Sequence, residues 1–296
     1  MDTIDNLIDF TIVTPSYNYG HYIEECLQSV ANQEGASFEH LVMDAGSSDD
    51  TIAVVSEHPH ATWYQEPDKG MSDGINKGFR RAKGEWVMWL NADDRLLPGA
   101  LSAVKDFASH KPAADVIYGC WNFMNNHGEH IRRMTVFPLV RSMLSNHGCY
   151  IASTSTFFRR KTTIAENHLL NEEFQYVMDG EYFCRLAYER KRFEYLPVVL
   201  ADFRLHDQSL SQKHINKTDV RGTLDFQKQV AESRTIRRVY GIKLFKDEML
   251  NSIVDGFLFH GYRVLKGILK LAYRHKTLMP FQLDPSVDQN QLHSDC

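Results

Sequence analysis

Short apolar runs alternate with helical repeats along the N-terminal third of the chain. Phe10 to Thr14 and His40 to Asp44 read as strands, Thr62 to Gln65 as a short third, and Glu85 to Leu90 as an apolar, aromatic strand inside a sheet. Between them Tyr22, Ile23, Cys26, Leu27 and Val30 recur at helical spacing up to Asn32, and Ser47 to Thr51 opens a second helix with a capping cluster. A third helix starts at Ser72, carries Ile75 and Phe79 on one side and stops near Gly84. This rhythm predicts a mostly parallel sheet covered on both faces, an α/β fold.

After Pro98 the pattern loosens. Leu101, Val104 and Phe107 mark a helix and Asp115 to Phe123 a strand. Asn125 to Gly128 forms a turn that makes a hairpin with Ile131 to Val136. A helix runs from Asp179 through Tyr182, Phe183, Leu186 and Ala187, followed by a strand near Phe193 to Arg204. From residue 216 the chain reads as wholly helical, and its last twenty residues, with Pro280 and Pro285, as a loose tail.

With 296 residues and 43% hydrophobic content the chain can bury a full core. A net charge of −5 lacks the basic excess of a general nucleic-acid binder. The start, MDTIDNLIDF, has no basic, apolar leader pattern, and no run of ~20 apolar residues predicts a spanning helix. The five cysteines are scattered without a Cys-x-x-Cys pair, which fits reduced thiols. These features together predict a cytoplasmic protein.

Candidate chemistry gathers where strands end: Thr14 to Asn18, Asp44 to Ser48, and Asn91 to Asp94. If the strands are parallel neighbours, the three clusters meet at one sheet edge, where open α/β folds bind ligands. A nucleotide pocket follows, with an Asp accepting from a base or ribose and Tyr17 stacking on a ring. Asp93 and Asp94 carry two readings: ligands of Mg²⁺ or Mn²⁺ holding a substrate phosphate, or the cap of a helix behind Pro98. No Gly-x-Gly-x-x-Gly turn and no Gly-x-x-x-x-Gly-Lys-Ser/Thr loop is present, so neither a dinucleotide dehydrogenase nor a P-loop enzyme is supported. His58 with His60, and His127 with His130, lack a zinc-enzyme spacing and read as solvated.

TIVTPSYNYGHYIEECLQSVANQ, VMDAGSSDDT and EPDKGMSDGINKGFRRAKGEWVMWLNADD together resemble the family 2 glycosyltransferases of the GT-A fold, over Phe10 to Leu101. The resemblance implies a Rossmann-like, mostly parallel sheet with helices on both faces plus a C-terminal helical extension. It implies a catalytic domain over 1–215, with a nucleotide-binding half (1–97) and an acceptor half (98–215), and a helical extension with a tail over 216–296. Carried over by position, Thr14, Pro15, Tyr17, Asp44, Lys69, Asp73, Asn91 and Ala92 would bind the nucleotide, and Asp93 would hold the metal. Asn91 stands where the family's Asp-x-Asp motif often has its first acid. VMDGEYFCRLA, from Val177, is similar to the family's acidic motif and makes Asp179 the general base. RLHDQSLS, from Arg204, resembles its diphosphate-side segment. Arg204 and Ser211 would then meet the phosphates or acceptor, with His206 as a second metal ligand.

The implied activity is an inverting transfer of one sugar from a nucleotide diphosphate sugar, by resemblance a UDP-sugar. The acceptor would be a saccharide or a polyprenyl-diphosphate-linked saccharide in cell-surface polysaccharide synthesis, with Mn²⁺ or Mg²⁺ as cofactor. The processive subgroup's Gln-x-x-Arg-Trp motif is absent. A sugar nucleotidyltransferase and a non-catalytic carbohydrate-assembly protein are the competing readings. Between Phe257 and Lys276 the chain mixes aromatic and aliphatic residues with Arg263, Lys266, Lys270 and Arg274 and contains no acid. That segment reads either as a peripheral contact with an anionic membrane or as a helix packed on the domain.

Overall fold

The computed structural model describes residues 8–206, 224–242, 248–274 and 276–280. Its elements in chain order are β1 (Phe10–Ser16), α1 (Gly20–Ala31), β2 (Phe38–Asp44), α2 (Thr51–Ser56), β3 (Ala61–Gln65), α3 (Met71–Arg81) and β4 (Trp86–Trp89). Then come β5 (Arg95–Leu96), α4 (Ala100–Ser109), β6 (Val116–Met124), β7 (His130–Met134), α5 (Arg141–His147), β8 (Thr156–Arg159), α6 (Met178–Tyr188), β9 (Phe193–Arg204), α7 (Leu224–Tyr240) and α8 (Glu248–Arg274).

One sheet of nine strands runs β3-β2-β1-β4-β8-β6-β9-β5, with β7 paired to β6. β3, β2, β1 and β4 are mutually parallel. β1 lies between β2 and β4, so the strand order reverses beside it, and the crevice at the carboxyl ends of β1 and β4 is where ligands bind in such sheets. The expected mostly parallel α/β architecture with C-terminal helices is present, as is the β6–β7 hairpin, closed by Gly128 N donating to Asn125 O at 3.0 Å. Two glycines let layers approach closely. A Cβ on Gly84 would lie 2.4 Å from the Phe10 carbonyl carbon, and one on Gly78 2.3 Å from Val13 Cγ1, so no larger residue seats α3 and β4 against β1 in this way.

Three expectations are corrected. No helix follows Asp94 directly: Arg95–Leu96 forms β5, antiparallel to β9, and the helix begins at Ala100 behind Gly99, whose φ is +76°. The buried Leu96 and the ion-paired Arg95 hold this stretch in the sheet. α5 and β8 are additional elements, each too short to show a period; β8 earns its place through the fully buried Phe157 and Phe158. The C-terminal region is not wholly helical, nor is all of its end loose. Leu278 bridges in parallel to Val198, with Leu278 N donating to Pro197 O at 2.7 Å and Leu278 O accepting from Val199 N at 2.9 Å. The expected boundary at 215 lies outside the described residues. Among the described residues no helix is long and apolar enough to cross a membrane.

An aromatic stack ties the two halves together. Trp89 of β4 lies parallel to Phe158 of β8 at 5.5 Å, and Tyr182 and Phe183 of α6 pack on the same indole. α6 is thereby held over the end of β4, with Asp179 one turn before Tyr182 at the helix start.

Candidate active site

The carboxyl ends of β1 and β2 and the loop before α3 enclose a cleft of about 480 Å³, lined by Pro15, Ser16, Tyr17, Tyr19, Ala45, Asp68, Gly70 and Met71. Tyr17 is 58% exposed, presenting an aromatic face for stacking. Asp68 turns inward to accept from Gly70 N at 2.9 Å, which shapes the loop before α3. Past Gly70 and Met71 lies a second hollow of about 180 Å³, reached by Lys69, Ser72, Asp73, Phe174 and Met178. The two hollows share a wall, and the second opens beside the start of α6.

Behind Tyr19 lies the polar centre. Tyr19 packs edge-on to the His206 ring at 6.2 Å, and His206 Nε2 sits 2.8 Å from Asp93 Oδ2. Asp94, almost fully buried, accepts from Arg204 N at 2.9 Å and from Asn91 Nδ2 at 3.1 Å. Burial, with Asp93 beside it, pushes the Asp94 carboxyl well above the usual carboxylate range, opposed by those donors. Burial and the same two acids also raise the Tyr19 phenol. Asn91 Oδ1 and Ser16 Oγ are buried without a hydrogen-bond partner.

These features suit a hard cation: adjacent carboxylates strain one another, and a buried amide oxygen is orphaned nearby. Among the described residues no cluster of three or more His, Cys, Asp and Glu side chains could hold an ion alone. Asp93 and His206 would therefore hold it together with substrate oxygens, which is the habit of Mg²⁺ and Mn²⁺ at phosphate sites. The structure brings this pair together across 113 residues of sequence.

Several expected site residues occupy other positions. Arg204 is fully buried: Nε donates to Asp93 O at 2.8 Å, the guanidinium to Glu25 Oε2 at 2.8 Å and Asn126 O at 3.0 Å, and it lies 5.0 Å over Tyr22. It braces the Asp93 loop and has no face left for a phosphate. Thr14 is buried, its hydroxyl 2.8 Å from His40 Nε2, and Ala92 packs among Ile23, Leu27, Val42 and Val55. Asp44 turns into its own loop, accepting from Gly46 N, Ser47 N and the Ser47 hydroxyl, and so positions Ala45 at the cleft wall. Asp94 caps no helix, because β5 follows it. Pro15 and Tyr17 line the cleft; Lys69 and Asp73 line the second hollow, where Asp73 accepts from Lys69 N and pairs with Lys77. Ser211 lies outside the described residues. His60 is half-buried rather than solvated, 5.6 Å from the His40 ring.

Asp179 is half-buried at the start of α6. Burial raises its carboxyl above the ordinary value, against a 2.7 Å hydrogen bond from Gly180 N. Tyr19, Tyr22, Glu25, Asp68 and Asn126 were not evident as site residues from sequence. Tyr22 looks only like a helix-face hydrophobe, and Asn126, whose amide oxygen accepts from the Tyr22 hydroxyl, only like a turn residue.

The sequence profile described as Glycosyl transferase family 2 matches residues 11–175. A chondroitin synthase of Pasteurella multocida is 26% identical over 220 residues, covering 70% of this chain and 22% of that protein. A PGL/p-HBAD biosynthesis glycosyltransferase of Mycobacterium bovis is 30% identical over 116 residues, 37% of this chain and 45% of the relative. The chain thus spans less than half the length of these curated relatives. Staphylococcus aureus TarS 1-349 in complex with UDP-GlcNAc superposes with a TM-score of 0.60 at 17% identity, covering 80% of this chain and 68% of that one. The mannosyltransferase PcManGT from Pyrobaculum calidifontis, in complex with GDP-Man and Mn²⁺, gives 0.53 at 18%, covering 91% and 85%.

Proposed function

We propose, from the premise that this chain belongs to glycosyl transferase family 2, that it transfers a single sugar with inversion from a UDP-sugar to a saccharide or lipid-linked saccharide in cell-surface polysaccharide synthesis. The observation that carries the reading is the gathering at the carboxyl ends of the strands of the Tyr17 cleft, the Asp93–His206 pair behind Tyr19, and a second hollow that Met178, the residue before Asp179, lines at the start of α6. The two structural neighbours are complexes with UDP-GlcNAc and with GDP-Man, which supports a nucleotide diphosphate sugar as donor. The relative named as a chondroitin synthase supports a polysaccharide product.

In this mechanism the nucleoside lies in the cleft, with Tyr17 on its ring and Pro15 and Ala45 as walls. Asn91 offers its unpartnered amide oxygen to a ribose hydroxyl or a coordinated water. Lys69 and Asp73 border the passage toward α6, where the sugar is held. Asp93 and His206 would hold Mn²⁺ or Mg²⁺, which would supply Lewis-acid neutralisation of the departing diphosphate. Asp179 takes the proton from the acceptor hydroxyl as that oxygen attacks the anomeric carbon, and burial, by raising its carboxyl, makes it a stronger base than an ordinary aspartate. Arg204, through Glu25 and the Asp93 carbonyl, keeps the metal-side loop in place.

α8 presents Phe257, Val264, Ile268 and Leu271 outward along one stripe, 77%, 65%, 60% and 67% exposed. Arg263 and Arg274 flank the stripe, and Tyr262, Leu269 and Tyr273 face the domain. An apolar stripe with a cationic border fits the cytoplasmic surface of an anionic membrane, which would bring the site to a lipid-linked acceptor. A second copy fits less well, since it would set arginine against arginine with no acid between Phe257 and Arg274.

The test is a thermal-shift screen of nucleotide sugars with and without Mn²⁺, followed by donor hydrolysis. Metal-dependent stabilisation and hydrolysis of one nucleotide sugar is expected. Synthesis of a nucleotide sugar from a nucleoside triphosphate would instead make the protein a nucleotidyltransferase, and no turnover of any donor would make it a non-catalytic assembly protein.

A further inference from the structure

α5 packs against α6, α7 and α8, and α6 against α7. Where they meet, His147 ends α5, Arg237 comes from α7, and Lys266 and Arg263 from α8. Two polar atoms there are buried without any hydrogen-bond partner: His147 Nδ1 and Arg237 Nε. Among the described residues, Arg237, Arg263, Lys266 and Lys270 form no salt bridge with any acid. Lys266 is held over the Tyr150 ring at 6.0 Å, and the His147 ring lies 4.8 Å from that of Phe259. The residues themselves are half-buried, apart from the exposed Arg263, but a buried nitrogen left unpartnered among cations is costly unless an anion completes it.

The charges also bear on one another. Burial, then Lys266, Arg237 and Arg263, hold His147 below its ordinary value against a hydrogen bond with the Phe259 backbone. Burial and Lys270 lower Lys266, and burial and Arg132 lower Lys270. The group also borders the proposed base. A Cβ on Gly180 would touch Cys149 Cβ at 3.6 Å and Ile236 Cδ1 at 3.8 Å, placing the neighbours of His147 and Arg237 against the residue after Asp179. The charges of Asp179 and Lys266 both act on the Cys149 thiol.

We propose that His147, Arg237 and Lys266 form an anion subsite that takes a phosphate or diphosphate group on the acceptor, beside Asp179. The assignment to an acceptor rests on the glycosyltransferase reading above; the anion subsite itself does not. Arg237 Nε would donate to a phosphoryl oxygen, as would His147 Nδ1 once the ring takes up a proton with the anion, and Lys266 would supply a point charge. A phosphoryl group could equally reach this place on a bilayer headgroup, so the test separates the two sources.

The full chain in EDTA is titrated with inorganic pyrophosphate while the His147 imidazole is followed by ¹H–¹⁵N NMR, its resonances assigned with His147→Gln. EDTA removes the metal-dependent binding expected at Asp93. A saturable shift of His147 is expected, with its protonation moving to higher pH. Arg237→Gln and Lys266→Gln should each weaken pyrophosphate binding about tenfold or more, the scale of one lost charge-assisted contact. Melting temperatures measured alongside identify a variant that fails to fold, and the other then reads the site. An unmoved His147, or unchanged affinity in the folded variants, overturns the subsite while leaving metal-dependent donor hydrolysis intact. Displacement of pyrophosphate by phosphatidylglycerol vesicles, but not by phosphatidylcholine, overturns the acceptor assignment and gives the site to a headgroup. Pyrophosphate binding in a chain that turns over no nucleotide sugar overturns that assignment too.

Discussion

His206 Nε2 stands 2.8 Å from Asp93 Oδ2, so the end of β9 supplies the partner for the acid that follows β4. If the two hold a metal together, His206→Asn raises the Mn²⁺ concentration for half-maximal activity by about tenfold, equivalent to ~1.4 kcal/mol. Asp93→Asn removes the metal response altogether. Both are read from activity against Mn²⁺ concentration at saturating donor, and an unchanged midpoint in His206→Asn would remove the histidine from the metal site.

Asp179 must be ionised to act as a base, and burial raises its carboxyl, so the rate is lost as pH falls through a value above the ordinary aspartate range. The acid limb of kcat against pH should lie correspondingly high. Asp179→Asn lowers transfer by roughly a hundredfold or more while leaving nucleotide-sugar affinity unchanged. Near-normal turnover in that variant would reject Asp179 as the base.

Arg204 is a brace in this structure. Arg204→Met strips donors from Asp93 O and Asn126 O and leaves Glu25 with Arg95 as its ion-pair partner, and the orphaned buried carbonyls should lower unfolding stability by about 3 kcal/mol in urea titrations. Glu25→Gln should cost about 1 kcal/mol or less, because that carboxylate is 44% exposed. A phosphate contact would behave differently, raising the donor KM without moving the denaturation midpoint.

His40 is buried against Thr14, and burial followed by His60 and His58 lowers its imidazole to about 3. The unfolded chain therefore takes up a proton near pH 6.5 that the folded chain refuses, so stability contributed by neutral His40 is present above that pH and is lost as pH falls from there toward 3. The slope is at most about 1.4 kcal/mol per pH unit. His40→Gln should flatten this part of the stability curve; an unchanged slope would assign the acid sensitivity to other groups.

The α8 stripe gives a separable outcome. Ile268→Ser with Leu271→Ser should abolish co-sedimentation with phosphatidylglycerol vesicles without changing donor hydrolysis, since both side chains face away from the domain. A chain ending at Tyr240 should lose binding as well. Retained vesicle binding in the double variant would put the membrane contact elsewhere.

The parallel half of the fold was readable because each strand there is bounded by a helix of clear period. β8 was hidden because four residues between two other strands need no pattern of their own; they need only Phe157 and Phe158 to fill the core. The site was readable as residue types at strand ends, and Pro15, Tyr17 and Ala45 do line a cleft. What periodicity could not give was which way a side chain turns. Thr14 faces His40, Asp44 faces its own loop, and Arg204 goes under the Asp93 loop, each decided by a partner distant in sequence or by a local turn. Asp94 followed by Arg-Leu-Leu-Pro suggested a capped helix because the pairing that makes β5 lies more than a hundred residues away, at Ala201 and Asp202.

The bridge between Leu278 and Val198 gives β9 two attachments. Six residues separate Val198 from Arg204, about 20 Å of extended chain. The segment leaving α8 grips one part of that rod, and the Asp93 loop hangs from its far end. A surface that pulls on α8 thereby pulls on the strand that sets the spacing of Arg204 and His206, and adhesion and catalysis would share one mechanical element.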